Sequence, residues 1–272
     1  MGDKIIAIDL GGTNLRVALV EDNKVKEYIK SPTPKEKEEL LYVMCKNISK
    51  LFSKDVRGIG VASAGPLEKG IILNPPNLPF KNFNLKKYLK KKFKTRVEVA
   101  NDADCVAIAE SKLGCKKNNF FILTIGTDIG GGIIVDSELF NGRGLGGELG
   151  HIILDNGKRF GVLAAGKRLK KLTKEKFGKE LLINDLIKIK DKKAKEILEE
   201  LSEYLGQGIA SLINVFDPEI VVLSGGVKES GKNYLKMIQE STKKYVATNR
   251  KVKIVWSKLE HPGILGASLL ID

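Results

Sequence analysis

The sequence has little cysteine and histidine and no long apolar run. Its three cysteines, Cys45, Cys105 and Cys115, are too few and too scattered for a disulfide framework, and they lack the close Cys and His spacing of a zinc site. No uncharged apolar run approaches the ~18 residues that a membrane-spanning helix needs. Charged residues interrupt the apolar run near the N-terminus, so no secretory signal is predicted. These absences favour a protein of the reducing cytoplasm with no membrane partner.

Basic residues outnumber acidic residues by 47 to 33, which gives a formal net charge of +14. Such a charge is typical of a protein that binds a polyanion, or of one whose surface is coated with lysine. Asn84–Lys94 favours the second interpretation, because its apolar residues recur at helical spacing between lysines. Apolar residues make up 42% of the 272 residues, which suffices for the core of one large domain or two smaller ones.

Apolar runs that alternate with amphipathic stretches predict an α/β protein. Lys4–Leu10 is predicted as a buried strand that ends at Gly11-Gly12, and a second cycle starts with a strand at Phe120–Ile125. The other predicted strands are Leu15–Val20, Lys24–Lys30, Arg57–Ala62, Arg96–Ala100, Ile133–Leu139, Glu219–Leu223 and Val252–Trp256. The predicted helices are Lys35–Phe52, Asp102–Leu113, Leu163–Thr173, Leu182–Ile189, Lys192–Val215, Lys232–Val246 and Ile264–Leu270.

Two similar glycine-rich segments, Asp9–Thr13 and Asp128–Gly132, each lie between predicted strands. In the second segment, Gly130–Gly132 is predicted as a turn that precedes the strand Ile133–Leu139. The shared context indicates two lobes of similar structure, although two unrelated turns would give the same match.

Asp9–Arg16 (DLGGTNLR) combines an acid, two glycines, a hydroxyl and a base in one short segment at a strand end. Glycines at a strand end let backbone N–H groups approach an anion closely. Thr13 adds a donor and Arg16 a cation, whereas the carboxylate of Asp9 suits Mg²⁺ or its water shell. The set fits a metal–nucleotide polyphosphate, and an ordinary hairpin turn is the alternative.

Asn101-Asp102 lies where a predicted strand meets a predicted helix. Asp102 fits the cap of a helix that begins at Ala103. A carboxylate at this place can equally take a proton from a substrate hydroxyl, and the two roles can coexist. Gly147–His151 (GELGH) places an acid and a histidine in a glycine-rich loop, where either a structural or a binding role is open. His261, beside Pro262, is interpreted as structural.

Six motifs in this order resemble those of the ROK family (repressor, open reading frame, kinase), and the resemblance covers about residues 4–270. The motifs are DLGGTNLR (Asp9–Arg16), GIGVASAGP (Gly58–Pro66), NDA (Asn101–Ala103), GTDIGGG (Gly126–Gly132), GELGH (Gly147–His151) and SGGV (Ser224–Val227).

This resemblance implies a two-lobed, actin-like ATPase fold (ribonuclease H-like) and an ATP-dependent kinase of a hexose or N-acetylhexosamine. The implied lobes are residues 1–113 with 261–272, for sugar and phosphate, and residues 114–260, for the nucleotide. Asp102 matches the catalytic base. The implied sugar-binding residues are Gly65, Asn77, Asn101, Asp102, Glu148 and His151. The implied ATP-binding residues are Asp9, Gly11, Gly12, Thr13, Asn14, Arg16, Gly126, Thr127, Gly130, Gly225 and Gly226. Asp9 is also expected to hold Mg²⁺, directly or through a water.

The sequence departs from the family pattern at two places. Family kinases usually carry a cysteine-rich zinc segment after the GELGH motif, but Asp155–Leu169 has no cysteine, so no zinc site is expected and His151 loses its ligand role. The same segment normally ends in a Leu-Glu pair whose glutamate binds sugar, and no glutamate lies between Glu148 and Glu175. Asp128 stands where the family usually has glycine. It is either linked to Mg²⁺, like Asp9 in the repeat, or an inert turn residue.

The leading hypothesis is therefore a cytoplasmic ATP:hexose kinase, with a homodimer expected from the family habit. A sugar-responsive repressor of the same family is disfavoured, because the first strand begins near Lys4 and leaves no room for a DNA-binding domain; no DNA partner is expected. A kinase that uses inorganic polyphosphate fits the +14 charge. A non-catalytic sugar-binding protein fits the missing glutamate. The sequence does not identify the sugar.

Overall fold

A computed structural model describes residues 3–247 and 251–271. The chain divides into two units. Unit 1 comprises Met1–Gly114, Asn141–Gly146 and Leu259–Asp272, and unit 2 comprises Cys115–Phe140 and Gly147–Lys258. The predicted functional division into lobes at residues 113 and 261 stays a prediction.

Unit 1 contains a five-stranded sheet with helices on both faces. Its strands are β1 (Lys4–Leu10), β2 (Asn14–Glu21), β3 (Lys24–Pro32), β4 (Val56–Ser63), β5 (Leu67–Glu68), β6 (Ile71–Ile72), β7 (Phe83–Asn84) and β8 (Arg96–Asn101), and its helices are α1 (Lys37–Leu51), α2 (Leu85–Phe93), α3 (Asp102–Lys112) and α9 (Pro262–Ser268). The strand order is β3-β2-β1-β4-β8, and β5, β6 and β7 form a small separate sheet. β1, β4 and β8 are parallel, whereas β2 pairs antiparallel with β1 and β3 pairs antiparallel with β2.

The two faces of the unit 1 sheet are packed differently. On one face, Ile6 and Ile8 of β1 share a large apolar cluster with Leu40 and Met44 of α1. On the other face, α3 and α9 approach closely through small residues. A Cβ at Gly266 would overlap the carbonyl oxygen of Cys105, so only glycine permits this approach. Covering both faces explains why β1 reads as a continuous apolar run.

Unit 2 repeats this plan with a second five-stranded sheet. Its strands are β9 (Phe120–Ile125), β10 (Ile129–Val135), β11 (Glu138–Leu139), β12 (Ile220–Ser224) and β13 (Lys253–Trp256), and its helices are α4 (Phe160–Ala164), α5 (Gly166–Phe177), α6 (Ile183–Lys188), α7 (Lys192–Phe216) and α8 (Gly231–Lys243), with short 3₁₀ helices at Leu149–His151 and Gly226–Ser230. The order β11-β10-β9-β12-β13 matches β3-β2-β1-β4-β8 strand for strand. The prediction of two lobes of similar structure is confirmed.

The structure corrects the predicted turn at Gly130–Gly132. These glycines lie inside β10, where they pair with β9 in the antiparallel ladder. A Cβ at Gly131 would lie 2.6 Å from Cγ of Leu149, so glycine serves close packing here rather than a turn. The turn itself is Gly126–Asp128, and the predicted strand Ile133–Leu139 is interrupted by a turn at Asp136 and Ser137.

The alignment of the two glycine-rich segments is also wrong. Leu10 pairs with Leu15 at the end of the first hairpin, and Ile125 pairs with Ile129 at the end of the second. Gly11 therefore corresponds to Gly126, and Asp9 corresponds to Thr124. Asp128 lies in the turn and is not the counterpart of Asp9.

The predicted helix Leu163–Thr173 is also wrong as one element. The structure breaks it into α4 and α5 at Ala165, whose ψ of 179° is incompatible with a helix. No helix among residues 3–247 and 251–271 has both the length and the apolar character that a bilayer crossing demands.

Candidate functional site

Asp102, the candidate catalytic residue, lies in unit 1 where three parallel strands end. Leu10 of β1 is level with Ser63 of β4, and Ser63 is level with Asn101 of β8. The segments that follow these strands therefore start at one edge of the sheet, which is the edge where open α/β sheets bind ligands. Asp102 and Gly65 both lie in these segments, as the sequence predicted from the strand ends.

Asn101, rather than Asp102, caps the helix α3. The side-chain oxygen of Asn101 accepts hydrogen bonds from the backbone N–H of Ala103 at 2.8 Å and of Asp104 at 3.4 Å. Asp102 is the first residue of the helix, and its carboxylate accepts a bond from the same Ala103 N–H at 2.9 Å. The prediction that Asp102 is the cap is thus corrected: the strand runs one residue further and gives the cap to Asn101.

The structure brings Gly65 and Asn101 together. The amide nitrogen of Asn101 donates to the carbonyl oxygen of Gly65 at 3.2 Å. Gly65 has φ +93°, and a Cβ there would overlap the ring of Pro75, so this turn requires glycine. Asn101 therefore holds both the helix start and the turn at the end of β4, which fixes the surroundings of Asp102.

The glycine turn between β1 and β2 is held by residues that the sequence analysis missed. The hydroxyl of Thr33 donates to the carbonyl oxygen of Gly11 at 2.7 Å, and the ammonium group of Lys35 donates to that of Gly12 at 2.8 Å. A Cβ at Gly12 would overlap the side chain of Asn77, so the predicted residue Asn77 also lies against this turn. Lys35 adds a cation at a turn that is expected to bind phosphate. Its place in the sequence, directly after Pro34, did not indicate that it would reach this turn.

Asp9 and Arg16 face each other across the first hairpin. Their side chains form an ion pair at 2.7 Å between Nη1 and Oδ2. Burial raises the pKa of the Asp9 carboxyl above its ordinary value, and Arg16, followed by His261, opposes this shift. The donor chemistry fits Mg²⁺ held chiefly by substrate phosphates, because such a cation needs only one or two protein carboxylates. Arg16 is engaged with Asp9 here, so its role as a phosphate contact stays a prediction.

The corresponding turn of unit 2 is clamped by the start of α5. The backbone N–H of Gly166 donates to the carbonyl oxygen of Gly126 at 2.9 Å, and that of Lys167 donates to Thr127 at 3.1 Å. Gly126 and Thr127 thus lie in the turn, and their predicted binding of ATP stays a prediction. Gly130 does not, because it is paired with Thr124 inside the sheet.

Gly225 and Gly226 follow the parallel strand next to this turn. Ser224 of β12 is level with Thr124 of β9, so the segment after β12 starts beside the Gly126 turn. Gly225 has φ +91° with ψ −175°, a conformation that only glycine adopts readily, and a Cβ there would overlap the carbonyl oxygen of Ile125. Apart from its chain neighbours, no heavy atom of the described residues lies within 4 Å of a Cβ placed at Gly226, so its surface is open.

Glu148 and His151 lie together in unit 2 beside an arginine that the sequence analysis missed. Nε2 of His151 is 3.9 Å from a carboxylate oxygen of Glu148. The same Nε2 lies 2.8 Å from Nη1 of Arg159, and Nη2 of Arg159 lies 3.8 Å from Oδ2 of Asp128. The arginine thus contacts the GELGH loop and the turn after β9 at once.

Arg159 lies on a short hairpin that brings it next to His151. The backbone N–H of Leu154 donates to the carbonyl oxygen of Lys158 at 3.0 Å, and that of Phe160 donates to Ile152 at 2.8 Å. Asn156 and Gly157 have φ of 46° and 72°. Asn-Gly with two positive φ angles is the preferred two-residue hairpin turn. The Asn156-Gly157 pair was the signal available in the sequence.

A family model of the ROK proteins matches residues 5–272. The chain belongs to the ROK family. The glucokinase of Thermotoga maritima is 29% identical, with 98% of this chain and 97% of the relative aligned. The ROK hexokinase of Thermus thermophilus superposes with a TM-score of 0.84 at 29% identity, covering 98% of this chain and 97% of its own. The two matching sheets and these ROK relatives give the chain the actin-like ATPase fold.

The family also includes proteins named as repressors. The xylose repressor of Caldicellulosiruptor bescii is 28% identical over 96% of this chain, which spans 76% of the repressor. Membership of the ROK family therefore shows kinship with proteins named as sugar kinases and with proteins named as repressors.

We expect this ROK protein to fold without zinc. In the part of the chain that the structure describes, no three His, Cys, Asp or Glu side chains are grouped to hold a metal ion, whereas structural zinc needs four such ligands. Elemental analysis of the purified protein should find no stoichiometric zinc, and chelation should leave the unfolding temperature unchanged. One tightly held zinc per chain, or loss of fold on chelation, would contradict this.

Proposed function

We propose that this protein is an ATP-dependent sugar kinase that transfers the γ-phosphate of ATP to a hydroxyl of a hexose or N-acetylhexosamine. The observation that carries the proposal is the position of Asp102 at the shared end of three parallel strands, with its neighbours Asn101 and Gly65 bonded to each other. The names of the glucokinase and hexokinase relatives support the same reaction class.

In this proposal, Asp102 takes the proton of the attacking sugar hydroxyl. Phosphoryl transfer needs in-line placement and neutralisation of charge more than covalent chemistry. Asn101 and Gly65 orient the sugar. Asn77, which lies against Gly12, also binds the sugar. The turn Gly11–Thr13, with Asn14 beside it, offers backbone donors to phosphate oxygens, and Asp9 holds Mg²⁺, which supplies charge neutralisation when bound.

Unit 2 supplies the remaining proposed contacts. The turn Gly126–Thr127 binds phosphate, and Gly225 with Gly226 borders the nucleoside, where the open surface at Gly226 leaves room for a ring. Glu148 and His151 bind sugar hydroxyls through a carboxylate and a ring nitrogen. Their side chains are 45% and 58% exposed, so both are accessible to a ligand.

A coupled ADP-release screen tests the proposal. The purified chain should turn over ATP with at least one sugar from a panel of glucose, fructose, mannose, N-acetylglucosamine and N-acetylmannosamine, and not with buffer alone. Inorganic polyphosphate should be offered as a second donor, because the net charge of +14 would favour a polyanion. Absence of turnover with every sugar and both donors would contradict the kinase.

A non-catalytic sugar-binding role is the second candidate. It is favoured by the absence of any glutamate between Glu148 and Glu175, where the family's sugar-binding glutamate is expected. This candidate predicts that calorimetry detects binding of a sugar from the panel while the ADP-release assay stays at background with both donors.

Replacing His151 by alanine should raise KM for the sugar more than KM for ATP. The His151 side chain is 58% exposed, so its removal opens no enclosed cavity and should leave the fold intact. With one sugar ligand of the family missing, we also expect the wild type to accept several sugars. Steady-state kinetics across the panel check both points. Unfolding of the variant, or ~10⁴-fold preference of the wild type for one sugar, would contradict them.

A further inference from the structure

We propose that Arg159 is a positioning residue for sugar binding, which holds His151 in one tautomer and thereby presents its Nδ1–H to the sugar. The inference deepens the proposed function and rests on it for the identity of the ligand. The contact between Arg159 and His151, however, is a property of the protein without ligand and can be tested alone.

The chemistry of the two side chains fixes the direction of the hydrogen bond. A guanidinium group has five N–H donors and no acceptor, so the nitrogen of His151 that faces it must accept. That nitrogen is Nε2, at 2.8 Å from Nη1 of Arg159. A neutral imidazole carries one proton, which must then lie on Nδ1. The ring thus offers a donor, not an acceptor, on the side away from the arginine.

The backbone keeps Arg159 in place. The hairpin bonds between Leu154 and Lys158 and between Ile152 and Phe160 bracket the arginine on both sides. Phe160 is fully buried and begins α4, so the chain immediately after the arginine is anchored in the core of unit 2. The backbone position of Arg159 is therefore fixed, which places its side chain within reach of His151.

Asp128 restrains the other end of the guanidinium group. Its Oδ1 accepts the backbone N–H of Ile129 at 2.9 Å, which leaves Oδ2 to face Nη2 of Arg159 at 3.8 Å. A Cβ at Gly161 would overlap Oδ1, so the carboxylate also fits against the start of α4. Glycine or alanine at position 128 would lack this partner, which gives Asp128 a role that requires no metal.

Nuclear magnetic resonance can observe the tautomer directly, because the chain has only two histidines. In protein labelled with ¹⁵N-histidine and measured at pH 8.5, above the ordinary histidine pKa of about 6.5, the ring signals that vanish in His151→Ala belong to His151. We expect the Nδ1–H tautomer for His151 in the wild type. In Arg159→Met, we expect a shift toward the Nε2–H tautomer, which free imidazole side chains favour.

Two further variants separate the specific contact from general charge. Lys158→Met removes an exposed cation next to Arg159 and should leave the His151 signals unchanged. Arg159→Lys keeps a charged donor but not the planar fork that reaches Asp128 as well, so it should restore the Nδ1–H tautomer in part. Thermal unfolding of all variants reports whether the fold is kept, and if Arg159→Met does not fold, the tautomer of wild-type His151 decides the proposal.

Steady-state kinetics test whether the contact between Arg159 and His151 affects sugar binding. Arg159→Met should raise KM for the sugar about tenfold, the factor expected for one weakened charged hydrogen bond, with little change in KM for ATP. The proposal is overturned if wild-type His151 carries its proton on Nε2, if Arg159→Met leaves the tautomer unchanged, or if Lys158→Met has the same effect. If the wild type shows no kinase activity, the proposed function fails while the tautomer measurement still decides the role of Arg159.

Discussion

Replacing Asp102 by asparagine should lower kcat by at least ~100-fold with any sugar that the wild type phosphorylates. Asparagine keeps the size and hydrogen-bonding shape of the side chain, but it has no basic carboxylate to receive the hydroxyl proton, and losing a general base typically costs ~10²-fold or more. The cap of α3 belongs to Asn101, so the helix start should be unaffected. Steady-state kinetics at saturating ATP and sugar measure the effect.

Asp104→Asn provides the matched control for this experiment. Asp104 lies two residues further along the first turn of α3, so the substitution removes the same charge from the same helix end. It should keep most of the activity, which separates loss of the base from loss of a negative charge near the helix N-terminus. Asp102→Asn with near-wild-type kcat would show that another group takes the proton.

Replacing Gly150 by alanine should destabilise unit 2 and weaken sugar binding together. A Cβ at this position would overlap the carbonyl oxygen of Ile129, a backbone atom of β10 that has no rotamer to change. Overpacking of this kind typically costs about 1–3 kcal/mol of unfolding free energy. Because Gly150 lies between Glu148 and His151, a shift of the 3₁₀ helix Leu149–His151 displaces both proposed sugar contacts. We expect KM for the sugar to rise at least ~10-fold.

Denaturant unfolding without ligand, followed by kinetics below the unfolding temperature, measures both effects. Gly226→Ala is the stability control, because a Cβ there meets open space in the part of the chain that the structure describes and the unfolding free energy should stay the same. An unchanged unfolding midpoint for Gly150→Ala would mean that the 3₁₀ helix does not pack against β10 as described.

Most elements of the fold were predictable because their signals are local. β1, β9 and α7 were predicted within a residue or two, since apolar runs and helical periodicity depend only on neighbouring residues. The glycine turn after β1 and the strand end before Asp102 followed from the same signals. The order of six motifs also pointed to the ROK family, which the family comparison confirmed.

The tertiary structure decided what glycine and polar residues do at particular places. Gly130–Gly132 looks like a turn in sequence, but it lies in a strand because Leu149 packs against Gly131. A glycine that permits a turn and one that permits close packing are the same residue in a sequence, and only the neighbour in space distinguishes them.

The sequence by itself indicated two lobes of similar structure, the glycine turn after β1 and the candidate base Asp102. It did not determine the partner of His151. Arg159 reaches that ring only because a two-residue turn at Asn156-Gly157 reverses the chain in a particular register, and a longer loop would carry the arginine elsewhere. Contacts of this kind depend on how the backbone returns and packs, which local composition does not specify.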